Sequence, residues 1–210
     1  MVKRKRLGIR FDFSYTTATG AAIFFQNIIR TLSILPDEKK PEVYVFVSPD
    51  APVNDIRSID YPYLNILPIK YLPQWKCGIN RIYRMLTSGP KFNFFNPKTF
   101  EGEPLDGVLS LVIPSEDIIT KKQLIWIADL QIYHLPQNFT PEEIAINKAL
   151  EVRTVKGRHD IVLCSQWVID DFNKIFEGHH CKTHRLRFAT IHPDYFHVVF
   201  NWLTASKTLI

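Results

Sequence analysis

Short apolar runs rich in β-branched residues alternate along this chain with stretches whose apolar positions recur every three to four residues. The first kind predicts strands and the second amphipathic helices. Residues 7–13 read as strand one. A polar loop of small hydroxyl residues follows at 14–19, and Gly20 opens a helix in which Ile28, Leu32 and Leu35 keep helical spacing. Residues 43–47 read as strand two and 64–69 as strand three, interrupted by Pro68. Ile79, Ile82, Tyr83 and Leu86 give residues 78–86 a helical period, and 106–112 and 124–127 read as strands four and five. Residues 160–165 and 184–189 read as strands six and seven. A helix over 167–176, with Val168, Phe172 and Ile175 on one face, separates them. Residues 49–62 read as loop, and 92–104 as an aromatic loop over a cleft.

One helix start is marked by its chemistry. Thr140 can cap, Pro141 suits the first helical position, and Glu143 stands three residues after Thr140 to complete a capping box. Gly157 is placed to end that helix. Strands alternating with helices in this order predict an α/β fold: a doubly wound, mostly parallel, Rossmann-like sheet. Right-handed crossovers then bring the loops after strands one, five and six to one edge. Ligands of such sheets bind at that edge.

The stretch from Gln123 to Pro136 therefore draws attention. It leaves a buried strand and delivers Asp129, Gln131, Tyr133 and His134 with no glycine between them. A carboxylate at a strand end can accept a proton or orient a hydroxyl; the plainer reading is that Asp129 caps a turn and His134 packs. Thr19 and Gly20 stand where backbone N–H groups at a helix start could receive a phosphate. The segment has neither the G-x-G-x-x-G fingerprint nor the P-loop lysine, which weighs against dinucleotide binding and ATP hydrolysis. His179, His180, Cys181 and His184 crowd one loop, but at the opposite edge and without separated ligand pairs, so no metal is expected there.

Composition changes the picture in a few places. The 210 residues are 46% hydrophobic and 22% charged, enough to bury a core. Aromatic residues reach 13%, read mainly as core. The net charge is +5, of which Lys3, Arg4, Lys5 and Arg6 supply four, so a basic tip (1–6) could steer the chain to anionic lipid or nucleic acid. Three irregularly spaced cysteines form no disulfide framework and suit a reducing compartment. No apolar run approaches a membrane span. The expectation is a cytoplasmic protein, peripheral at the membrane if lipid is its partner, with nucleic acid not expected.

Trp126-Ile127-Ala128-Asp129-Leu130-Gln131 with His134-Leu135-Pro136 resembles the W-I-x-D-x-Q…L-P signature in a branch of the family 4 glycosyltransferases. Phe139 to Ile144 resembles that family's F-S-x-E-E stretch, Asp160 to Ser165 its D-x-V-x-x-S strand, and 185–189 the last strand of its N-terminal domain. The resemblance implies a GT-B fold, with 7–190 as the acceptor-side domain of a retaining hexosyltransferase and 191–210 as the linker to a donor domain not in this chain. It implies a nucleotide-sugar donor, a glycan or lipid acceptor, and no metal or other cofactor. Asp129 would be catalytic, Gly20 and Thr19 would bind the donor diphosphate, and Gln131 and His134 the acceptor. Ala128 departs from the histidine many relatives carry before that aspartate. Without its donor domain the chain is expected to act weakly alone. The alternative is a non-catalytic Rossmann-like module that binds a glycan or a protein.

Overall fold

The computed structural model describes residues 3–13, 15–86, 95, 98–115, 117–157 and 159–188. Its centre is a seven-stranded, wholly parallel sheet. The strands are β1 (Arg6–Phe11), β2 (Glu42–Val47), β3 (Leu64–Pro68), β5 (Gly107–Leu111), β7 (Gln123–Trp126), β8 (Asp160–Leu163) and β9 (Thr183–Arg185), in the spatial order β3-β2-β1-β5-β7-β8-β9. These are the seven predicted strands, and the doubly wound α/β class holds. A small second pair, β4 (Phe100–Leu105) with β6 (Ile118–Thr120), lies outside that sheet.

Parallel strands need crossovers, and the crossovers cover both faces. On one face Ile9, Phe11, Val45 and Trp126 pack under α1 (Tyr15–Ser33) and α2 (Val53–Arg57) through Phe24, Phe25, Ile29 and Ile56. Trp126 stacks on Phe24 with centroids 4.1 Å apart, so much of the aromatic excess is core, as expected. The other face is split. Phe46, Leu105, Val108 and Ile118 bury its first half beneath the β4–β6 pair. Ile125, Ile127, Ile161 and Leu163 bury the second half against Phe172 of α6 (Gln166–Ile175). The remaining helices are α3 (Gln74–Leu86), the single turn α4 (Gln131–His134) and α5 (Pro141–Lys156).

Several local expectations hold in detail. Thr140 caps α5, its side chain accepting from Glu143 N–H while the Glu143 carboxylate accepts from Thr140 N–H at 2.8 Å. Gly157 closes the helix. Ser165, assigned to strand six, instead leaves it and caps α6 by accepting from Val168 N–H at 3.2 Å. The predicted polar loop at 14–19 is largely helical. α1 already begins at Tyr15 and breaks its regularity at Ala18, with φ −157° and ψ 64°. Serine and threonine are weak helix formers, which hid this first segment. Gly20 therefore lies within a kinked helix just after its break and does not open it. The 49–62 stretch contains α2, and much of the 92–104 loop and the 191–210 tail lie outside the described residues.

Gly8 fits where nothing larger can. A Cβ there would come within 2.7 Å of Val108 Cγ2 and 2.8 Å of Leu105 Cδ1. Gly8→Ala should therefore overpack the junction of β1, β5 and the β4–β6 layer and cost about 1–3 kcal/mol. A lowered urea midpoint with unchanged far-UV dichroism is the expected reading.

Candidate functional site

Every strand of the large sheet points its carboxyl end to the same edge. β2 and β3 continue to one side of β1 while β5, β7, β8 and β9 lie on the other, so the winding reverses between β1 and β5. A crevice opens at such a reversal. At its β5 side the backbone is strained. Val112 has φ 57°, the only positive φ outside glycine among the described residues. Ile113 N–H donates to Leu111 C=O at 2.5 Å across it, a γ-turn. A β-branched residue in that region costs on the order of 1–3 kcal/mol and persists only where its surroundings hold it. Here Val112 N–H donates to Trp126 C=O at 3.1 Å, and the Thr154 hydroxyl of α5 donates to Val112 C=O at 2.5 Å. Behind the turn the Ser110 and Ser115 hydroxyls bond each other at 2.7 Å, and the Gln123 amide clamps the Ser115 backbone from both sides.

β7 delivers Asp129 to this edge, as expected. The carboxylate is exposed and accepts from Gln131 N–H at 3.1 Å, so it shapes the entry to α4 while keeping a free face to solvent. Gln131 is exposed beside it. His134 turns away: its Nε2 lies 2.5 Å from Asp171 Oδ2 of α6, and its ring tilts against Trp167. It ties α4 to α6. Gly20 and Thr19 are exposed on α1 after the Ala18 break, and a Cβ on Gly20 would meet open space. That glycine is required neither by crowding nor by a left-handed backbone.

The group that sequence reasoning missed comes from α5. Glu151 is 6% exposed, and its Oε2 has no hydrogen-bond partner. Burial, with the nearby Asp129 charge adding to it, pushes the Glu151 carboxyl up to about 7; the Tyr133 hydroxyl bond and Lys148 oppose this. Burial likewise raises the Tyr133 phenol, with Glu151 reinforcing it. Lys148 Nζ sits 4.9 Å from the Tyr133 ring centroid. A carboxyl that keeps its proton near neutrality, beside an exposed carboxylate, can donate a hydrogen bond or exchange a proton with a bound group. The signal was present. Ile144, Asn147, Lys148, Glu151, Thr154 and Val155 fall on one stripe of α5 at spacings of three and four, so Glu151 shares the inward face. Ile146 and Val152 are exposed instead, and this inverted pattern disguised it.

The histidine-rich loop lies at the other edge. His179 bonds Asn173 at 2.8 Å, His184 bonds Asp160 at 3.0 Å, and among the described residues no three His, Cys, Asp or Glu side chains could share a metal. A shallow recess there, lined by Val152, Phe176 and His180 among others, is remote from the strand carboxyl ends. The basic tip is partly consumed. Arg4 pairs with Asp37 at 2.6 Å and lies over Tyr63, and Arg6 reaches Glu42 at 3.6 Å. Cys164 is half-buried with its thiol on Ala128 C=O, and all three cysteines are free. Among the described residues no helix is long and apolar enough to cross a membrane.

No family model matches this chain, and no curated protein matches it. Among solved structures the chain is similar to an ethylated short-chain dehydrogenase/reductase from Veillonella parvula DSM 2008. Identity is 8% and the TM-score 0.39, over 78% of this chain and 70% of that one. The resemblance to family 4 glycosyltransferases is thereby corrected: nothing in these comparisons is a glycosyltransferase, and the GT-B and sugar-transfer assignments are withdrawn. A physical reason is visible. The residues that carried the resemblance do local work that a Rossmann-like fold asks of such positions. Trp126 fills the core, Thr140 and Glu143 form a cap, and Ser165 caps α6. What stands is the fold.

Glu151 makes stability depend on pH. Its folded value lies above the ordinary glutamate value of 4.5, so between there and about 7 the folded state holds a proton the unfolded chain has lost. Stability therefore falls as pH rises through that window, and the loss is complete above it. Glu151→Gln removes the penalty. It should raise Tm by about 2–4 °C near pH 8, on the order of 1 kcal/mol, and leave Tm nearly unchanged near pH 4. Thermal melts of both proteins across that range check the sign.

Proposed function

We propose that this chain is a small-ligand-binding Rossmann-like domain whose site is the carboxyl edge of the sheet beside β5 and β7, with Glu151 as its proton-holding group. The observation that carries this is the buried Glu151 carboxyl with an unpartnered Oε2, raised toward neutrality next to Asp129. Energetically costly features support it: an orphaned polar atom and a strained Val112 turn meet at the edge where such folds bind ligands.

The pair suits a hydroxylated ligand. A hydroxyl can donate to the exposed Asp129 carboxylate while accepting from the neutral Glu151 acid. Near neutral pH the same arrangement can pass a proton between ligand and protein. Tyr133 and Lys148 position the Glu151 carboxyl, and Gln131 is placed at the open side as a further polar contact. This recognition requires no metal.

Thermal-shift screening of the full chain against monosaccharides, nucleosides and nicotinamide dinucleotides tests the reading. A ligand of the site should stabilise the wild type, and Asp129→Ala or Glu151→Leu should each weaken its apparent affinity about tenfold, the scale of one lost hydrogen bond in the site. A ligand that stabilises all three proteins equally binds elsewhere and defeats the assignment.

A further inference from the structure

Residues 61–100 contain six basic side chains, Lys70, Lys76, Arg81, Arg84, Lys91 and Lys98, and no acidic one. With the whole chain at +5, all other residues together net −1. The charge excess is thus a property of this segment, and α3 is its helix. Trp75, Ile79, Ile82 and Leu86 recur along α3 at steps of four, three and four, one apolar stripe on 13 residues. An amphipathic helix of a globular domain turns that stripe to the core. This one does the reverse. Trp75 is 60% exposed, Ile82 59% and Leu86 78%, while Asn80 is the buried residue, clamped to the Phe95 backbone through both ends of its amide. Lys76 lies against the Trp75 and Phe95 rings, at 5.3 and 5.1 Å from their centroids, and Arg81 is exposed.

We propose that α3 is an interfacial docking helix that seats the protein on an anionic lipid surface. The apolar stripe would enter the acyl boundary, with Trp75 at headgroup level, and Lys70, Lys76 and Arg81 would meet the lipid phosphates. Charge complementarity selects this occupant. A uniformly cationic segment without one carboxylate fits a surface of like-charged headgroups, whereas a second copy of this chain would oppose the same charge to itself. The inference is independent of the ligand site, since α3 contributes no residue to it.

Co-sedimentation of the full chain with vesicles decides it. One set is phosphatidylcholine alone and the other contains about one third phosphatidylglycerol. Binding is expected to the anionic set, weakening as salt is raised. Ile82→Glu should lower the partition coefficient about tenfold or more by placing a charge in the stripe. Lys76→Glu combined with Arg81→Glu should abolish the preference for anionic lipid. Arg81 and Ile82 are exposed and Lys76 is half-buried beside the Trp75 and Phe95 rings, so melting curves of each variant verify that the fold is intact. The proposal is overturned if the wild type stays in the supernatant with both sets, or if Ile82→Glu binds as well as wild type. A concentration-dependent dimer that Ile82→Glu dissolves, without lipid binding, would overturn it too and assign the face to a second copy.

Discussion

β1 has no free side. β2 is bonded along one edge in register from Arg6–Glu42 to Phe11–Val47, and β5 along the other through Leu7–Gly107 to Ile9–Leu109. Ile9 and Phe11 are sealed beneath α1 on one face, and at Gly8 the other face is so tight that Val108 and Leu105 occupy the room of a side chain. A strand held this way is central, and here β2 and β3 follow on one side of it and β5, β7, β8 and β9 on the other, so the winding changes side beside β1. From that one constraint the rest of the functional geometry descends. All carboxyl ends lie at one edge, the crevice opens between β1 and β5, and whatever leaves β5 and β7 is presented there. Val112 and Asp129 are what leave them.

The same geometry explains why the fold was legible and the family was not. Strand existence is written in local apolar runs, and α5 announces itself with a complete cap, because both depend on residues adjacent in sequence. The break at Ala18 and the β4–β6 pair depend on long-range packing and carry little local signature. Gly102 and Pro104 would even argue against a strand. Much of the glycosyltransferase resemblance rested on residues such as Trp126, Thr140, Glu143 and Ser165, whose jobs are core filling and helix capping. Such positions are shared by any sheet wound this way, so they transmit architecture and say little of chemistry.

The site divides along similar lines. Asp129 could be placed from the sequence because it follows a buried strand whose carboxyl end has to face the ligand edge. His134 occupied the same short stretch, yet one turn of α4 swings it to Asp171. Proximity in sequence does not carry a side chain around a helix. Glu151, twenty-two residues beyond Asp129, was invisible for a different reason. On a helix with several other charged residues a glutamate passes for solvent-facing, and only the stripe it shares with Thr154 and Val155 marks it as inward. Burying it costs free energy that the Tyr133 hydroxyl bond and Lys148 offset only in part. Its buried, half-satisfied carboxyl therefore calls for an explanation outside stability.

Charge gives the last step. Counting from the N-terminus, four basic residues in a row dominate, yet Arg4 and Arg6 are bound into the fold through Asp37, Tyr63 and Glu42 and serve to fasten the start of β1. The stretch from β3 into α3 carries positive charge with no carboxylate within the sequence to neutralise it, and Lys70 and Arg81 are exposed there. That stretch begins at the functional edge: Tyr71, just before α3, lies close enough to Asp12 and Asp117 for their charges to reinforce the rise of its phenol that burial begins. Asp12 in turn follows β1 out of the sheet. The exposed apolar helix and the ligand crevice therefore leave the sheet on the same side.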